Sequence, residues 1–166
     1  MSILDRDWGH LTDRYATEVP RKMLALDGGG IRGLMTARML LRLETLLKDR
    51  VAGGSSGFRL CQYFDYRGGT STGAIIAAAL ARGMSAEELL IFYEDFGKQA
   101  FTKRNLFARW KSLYENGELE KKLKEVFGAD TKLFPKDLQT LLLVVTRNAT
   151  TDSAWPISSN PDALYN

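Results

Sequence analysis

The sequence predicts an α/β layer fold built on a mainly parallel sheet, and three observations carry that prediction. Short apolar runs alternate with helical patterns along most of the chain. One run, in "LQTLLLVVTRN", is wholly apolar from Leu141 to Val145, as expected of a strand inside a parallel sheet. Two glycine-rich turns each join an apolar run to a helical pattern.

The elements follow in order. Residues 1–20, "MSILDRDWGHLTDRYATEVP", form a polar leader of mixed charge that does not resemble a signal peptide. Met23 to Leu26 reads as a buried strand entering a sharp turn at Asp27 and three glycines. "IRGLMTARMLLRLETLLKDR" follows as a helix, with Met39, Leu40, Leu43, Leu46 and Leu47 on one face. "VAGGSSGF" is a loop by composition, and "CQYFDYRGG" is a short strand candidate. "GAIIAAALARG" is a helix of small apolar residues ended by Gly83. Ser85 and Glu88 have the spacing of a capping box for a helix over residues 86–97. Residues 98–115 are aromatic and basic. "NGELEKKLKEVFG" is amphipathic through Leu119, Leu123, Val126 and Phe127, with Gly128 as its stop. After the apolar strand, "SAWPISSNPDALYN" reads as a short strand and a loop, and no internal repeat is visible.

Composition narrows the function classes. A length of 166 residues fits one domain, and 45% hydrophobic with 26% charged residues is ordinary for a globular chain. The single cysteine, Cys61, excludes an internal disulfide and agrees with a reducing compartment. The expected location is cytoplasmic, with peripheral contact at membranes. A net charge of +3 is too mild to imply nucleic acid. Cysteine and histidine each occur once and far apart, so neither a metal nor another cofactor is expected.

The chemistry concentrates in the two glycine turns. In "LDGGGIRGL", Gly28, Gly30 and Gly33 fit Gly-x-Gly-x-x-Gly. A dinucleotide site would want an acidic residue about 20 positions on, at the end of a second strand. Asp49 has that spacing but ends a long helical pattern. The turn also suits an oxyanion hole, because glycines let backbone N–H groups approach a substrate oxygen closely. A third reading is a tight turn with no chemistry. In the second turn, Gly69-Thr70-Ser71-Thr72-Gly73 fits Gly-x-Ser-x-Gly, the elbow that presents a nucleophilic serine between strand and helix. The usual partner of such a serine is a histidine that follows it in the chain, yet the only histidine is His10.

"LDGGGIRGL" followed by "FDYRGGTSTGAIIAAAL" resembles the patatin-like acyl hydrolases, and the likeness runs over roughly residues 21–166, through "TRNATTDSAWPISSNP". The resemblance implies a three-layer α/β/α sandwich and hydrolysis of ester bonds in phospholipids and other acyl lipids. It implies a serine–aspartate dyad, with Ser71 as nucleophile in an elbow of Gly69, Thr70, Thr72 and Gly73. It places the oxyanion hole at the backbone of Gly28, Gly29 and Gly30, with Arg32 supporting the loop. A carboxylate serves as base when burial lifts its pKa toward the working range.

Two departures from the family pattern stand out. The family aspartate lies in an Asp-Gly-Gly or Asp-Gly-Ala motif after the serine, and here the only Asp-Gly is Asp27-Gly28. The base is therefore expected beyond Asn166, and the chain reads as the N-terminal part of such a domain, with a sheet edge left uncovered. Alone, it is expected to hydrolyse little. The alternative is a non-catalytic piece that binds lipid or a protein partner. The second departure is Arg67, at a position usually apolar in the family. It needs a carboxylate such as Asp65, or an exposed strand end. Residues 92–114 interleave aromatics with lysines and arginines, which suits either a surface meeting anionic lipid headgroups or a helix pair with aromatics in its core.

Overall fold

The computed structural model describes residues 9–12, 14, 18–101, 118–133 and 135–160. Four strands form one sheet in the order β1-β2-β3-β4: β1 is Met23–Leu26, β2 Tyr66–Thr70, β3 Leu141–Arg147 and β4 Ala154–Ser158. β1, β2 and β3 are parallel, and β4 returns antiparallel to β3. The α/β fold with a mainly parallel sheet is thus the one the sequence predicts. The helices among the described residues are α1 (Gly33–Val51), α2 (Leu60–Tyr63), α3 (Thr72–Ala81), α4 (Ala86–Phe101) and α5 (Glu118–Phe127).

The core forms where α3 lies across β1, β2 and β3, with α1 and α4 packed against it. Ala74, Ala77, Ala79 and Ala81 are small enough to bring the α3 backbone close to the sheet, and Ile76 and Leu80 fill the remaining space fully buried. Leu26, Leu40, Leu60, Leu89 and Leu142 complete the cluster. The leader joins it: Leu11 is fully buried, and His10 Nε2 donates to the Leu138 carbonyl at 2.7 Å. Burial on both sheet faces is seen at the start of β3, where the successive residues Leu141 and Leu142 are both buried, and it fades along the strand. Leu26 and Leu142 are buried, whereas Leu143 and Val145 are half-buried and Met23 is 67% exposed.

Most elements stand where the sequence placed them. Gly83 and Gly128 end α3 and α5 in the left-handed region, at φ 92 and 87. The capping box is present: the Ser85 N–H donates to Glu88 Oε2 at 2.8 Å, and the Glu88 N–H donates to Ser85 Oγ at 3.1 Å. These bonds from Ser85 hold the Glu88 carboxyl below its usual pKa.

One element differs. "CQYF" is not strand but the single helical turn α2, and β2 starts only at Tyr66. Its cause is tertiary. Glu44, buried on α1, accepts the Leu60 N–H at 3.0 Å with one oxygen and the Ala86 N–H at 3.1 Å with the other. One carboxylate thereby satisfies the first turns of α2 and α4 together.

Arg67 also differs from both expectations. It is fully buried, so the strand end is not exposed. Asp65 does not pair with it: that carboxylate accepts the Lys22 N–H and lies against Arg14 and Arg21. Arg67 Nη1 instead donates to Thr140 Oγ1, and the guanidinium sits 5.9 Å from the Phe64 ring centroid.

Candidate functional site

The parallel register sets Leu26 beside Gly69, so the turns that leave β1 and β2 emerge as neighbours at one end of the sheet. Between β2 and α3 stands Ser71, with φ 51 and ψ −124. A side-chain-bearing residue adopts this backbone only when its surroundings force it, at a cost of about 1–3 kcal/mol. The forcing residues are the flanking glycines. A Cβ on Gly69 would fall 2.4 Å from the Gly73 carbonyl, and one on Gly73 would fall 2.2 Å from the Leu26 carbonyl oxygen. The strand therefore turns into the helix at a distance no side chain permits. The Ser71 side chain is left exposed at the apex. Ser71→Gly is expected to exceed Ser71→Ala in unfolding free energy by about 1–2 kcal/mol, because glycine tolerates that backbone. Urea denaturation of the two variants checks this.

The first glycine turn closes over the second. A Cβ on Gly28 would meet Ser71 Cβ at 2.8 Å, so the two backbones touch at the serine. The Gly28 N–H donates to Thr70 Oγ1 at 3.0 Å, and the Gly29 N–H donates to Thr72 Oγ1 at 3.2 Å. Gly30 takes φ 57, and the Arg32 N–H closes the turn onto the Gly29 carbonyl at 3.1 Å. The Arg32 side chain is exposed, and a Cβ on Gly29 would meet it at 3.4 Å. Thr72 opens α3 and is buried, so the positive end of that helix faces the serine.

A residue that no motif announces sits behind both turns. The Tyr93 ring lies over Gly33, where a Cβ would come within 2.6 Å of it, and its hydroxyl donates to the Thr72 carbonyl at 3.3 Å. Burial pushes the Tyr93 pKa up. In the sequence, Tyr93 is one aromatic among many; only its helical spacing from the capping box places it on the inner face of α4.

The structure thus gathers Ser71, Gly28, Gly29, Gly30, Thr70, Thr72, Gly69, Gly73 and Arg32 at one end of the sheet. It brings no carboxylate to the serine: among the described residues the Ser71 hydroxyl has no hydrogen-bond partner. Asp65, Asp137 and Asp152 are engaged elsewhere, with Lys22, Lys132 and Arg147. The dinucleotide reading weakens, since Asp49 lies within α1 and two amides of the glycine turn already have protein acceptors. An apolar groove of about 560 Å³ between α3 and α5, lined by residues including Leu123, Phe127, Leu142 and Ile157, includes no residue of either turn. Of the aromatic and basic stretch at 92–114, Phe92 and Tyr93 pack edge to face on α4. Residues 102–114 lie outside the described residues. No helix among the described residues is long and apolar enough to cross a membrane.

Known proteins resemble this chain over most of its length. A cGAMP-activated phospholipase of Vibrio cholerae is 35% identical over 146 residues, covering 78% of this chain and 39% of that protein. A cGAMP-activated phospholipase of Escherichia coli is 31% identical over 160 residues, covering 92% of this chain and 44% of that protein. Patatin-17 of Solanum cardiophyllum is 34% identical over 112 residues, covering 62% of this chain and 28% of that protein. The chain therefore spans less than half the length of these relatives. The family described as patatin-like phospholipase matches residues 24–163, a span that takes in both glycine turns and all but the first residue of the sheet. By that match the chain belongs to the patatin-like phospholipase family.

Proposed function

We propose that this chain supplies the nucleophile half of a lipid acyl hydrolase. Ser71 Oγ attacks the ester carbonyl of a phospholipid or other acyl lipid while its proton passes to an aspartate outside these 166 residues. The tetrahedral oxyanion is held by backbone N–H groups of the two turns. Its collapse breaks the ester C–O bond, the aspartic acid returns the proton to the departing alkoxide, and an acyl-serine remains. Water, deprotonated by the same aspartate, then releases the fatty acid and restores Ser71. The observation that carries this reading is the Ser71 backbone at φ 51, exposed at the start of α3 and touched by Gly28.

The test is labelling of the full-length protein with a fluorophosphonate. Wild type is expected to label and Ser71→Ala is not; equal labelling of Ser71→Ala would sink the assignment. A second reading, a non-catalytic piece that binds lipid or a protein partner, draws on the lack of any carboxylate at the Ser71 hydroxyl among the described residues. Ester turnover by the 166-residue chain separates the two, since robust turnover rejects the non-catalytic reading. The cyclic-dinucleotide activation in two relatives' names is a property of those proteins, and no residue described here argues for carrying it over.

A further inference from the structure

The elbow pattern Gly-x-Ser-x-Gly leaves both x positions open, yet here both are threonine and both hydroxyls are committed. Thr70 Oγ1 accepts the Gly28 N–H and Thr72 Oγ1 accepts the Gly29 N–H. Each bond crosses from one turn to the other, over 42 and 43 residues of chain. An N–H that donates to a threonine oxygen is not aimed at a substrate oxygen, because one hydrogen makes one strong, near-linear bond. Two of the three glycine amides expected to bind the oxyanion are therefore already spent.

Two other amides at the serine have no acceptor among the described residues. The Thr72 N–H opens α3, where helix geometry supplies it with none, and it belongs to the residue after the serine. The Gly30 N–H, at the tip of the glycine turn, is the other. An oxyanion hole combining the amide after the nucleophile with one from a neighbouring loop suits acyl transfer.

We propose that Thr70 and Thr72 are positioning residues, whose hydroxyls staple the Gly28 and Gly29 amides to the serine turn and leave the Gly30 and Thr72 amides to receive the oxyanion. The proposal rests on Ser71 being the nucleophile. The two threonines differ in surroundings, which makes the idea testable. Thr72 is buried, so losing its hydroxyl would strand the Gly29 amide and cost stability. Thr70 is exposed, so water can replace its hydroxyl without unfolding the protein.

The experiment uses Thr70→Val and Thr70→Ser in the full-length protein, with hydrolysis of p-nitrophenyl butyrate and the fluorophosphonate labelling rate as readouts. Thr70→Val is expected to lower kcat about ten- to hundredfold with KM within about twofold, because the glycine turn drifts from the geometry the transition state needs. Labelling should slow in parallel, and Thr70→Ser, which keeps the oxygen, should restore both. If Gly28 were itself an oxyanion donor, the threonine would compete for it. Thr70→Val would then match or exceed wild type, and that result overturns the proposal while Ser71 dependence stands. A Thr70→Ser variant as slow as Thr70→Val also overturns it, since bulk rather than the hydroxyl would then matter. Labelling that persists in Ser71→Ala overturns both this proposal and the reading beneath it.

Discussion

Gly73→Ala is expected to destabilise the protein by about 3 kcal/mol and to abolish fluorophosphonate labelling of Ser71. Local propensity argues for the opposite sign. Gly73 is the second residue of α3, and alanine is favoured over glycine within helices by roughly 1 kcal/mol. The tertiary contact overrides that gain. The added Cβ would stand 2.2 Å from the Leu26 carbonyl oxygen and 2.7 Å from that of Asp27, and both are backbone atoms that cannot swing aside. Relief requires α3 to rise from the sheet, which opens the core around Ala77 and Leu80 and carries Ser71 away from Gly28. Gly57→Ala is the control: a Cβ there meets nothing within 4 Å, and the change is expected to stay within about 0.5 kcal/mol. Urea denaturation with parallel labelling of the full-length variants reads both effects. A Gly73→Ala protein as stable as wild type would refute the close approach.

That contact shows what a sequence can and cannot reveal about such a site. The glycines at 69 and 73 were legible because a spacing of four around a serine has few other causes, and β1 and β3 were legible because the apolar runs Met23–Leu26 and Leu141–Val145 stop at polar residues. Membership in the turn was therefore visible, but the partner of each glycine was not. Gly73 is required by Leu26, which lies 47 positions earlier, and Gly33 is required by Tyr93. The same blindness explains α2. "CQYF" is aromatic enough to pass for a strand, and the Glu44 carboxylate, placed by α1, supplies an acceptor for the Leu60 N–H beside the local one that Gln62 offers the Arg59 N–H. Glu44 itself looks like a solvent-facing charge next to Leu43, because nothing local shows that two amides from distant segments converge on it. The threonines were legible as members of the elbow, but the bonds their hydroxyls make were not, for a different reason. A motif records which residues may vary, and it assigns no work to side chains at its open positions.

Arg67→Met is expected to raise stability by about 1–3 kcal/mol, the reverse of most core substitutions. Arg67 is fully buried on β2, and among the described residues its Nε and Nη2 have no hydrogen-bond partner. Burial is the chief force lowering its pKa, to about 10, and Arg14 adds repulsion. Cys61, Asp65 and Glu44 oppose the shift without cancelling it. A pKa near 10, well below the ordinary arginine value, means folding disfavours the charged guanidinium by roughly 3 kcal/mol. The native pKa lies below the unfolded one, so the penalty is fully present below about pH 10 and fades as pH rises from there toward the ordinary arginine value. Cation–π attraction to Phe64 recovers about 1 kcal/mol or less at this separation. Methionine matches the unbranched stem, keeps most of the packing between Leu24 and Leu142, and removes the charge. It leaves the Thr140 hydroxyl without its donor, so Arg67→Met/Thr140→Val should recover a further increment. Thermal melts at pH 7 decide the matter, since each kcal/mol moves the midpoint by roughly 2–4 °C in a domain of this size. A fall of several degrees in both variants would mean that Arg67 has an anionic partner in solution, and its place in the core would need a different explanation.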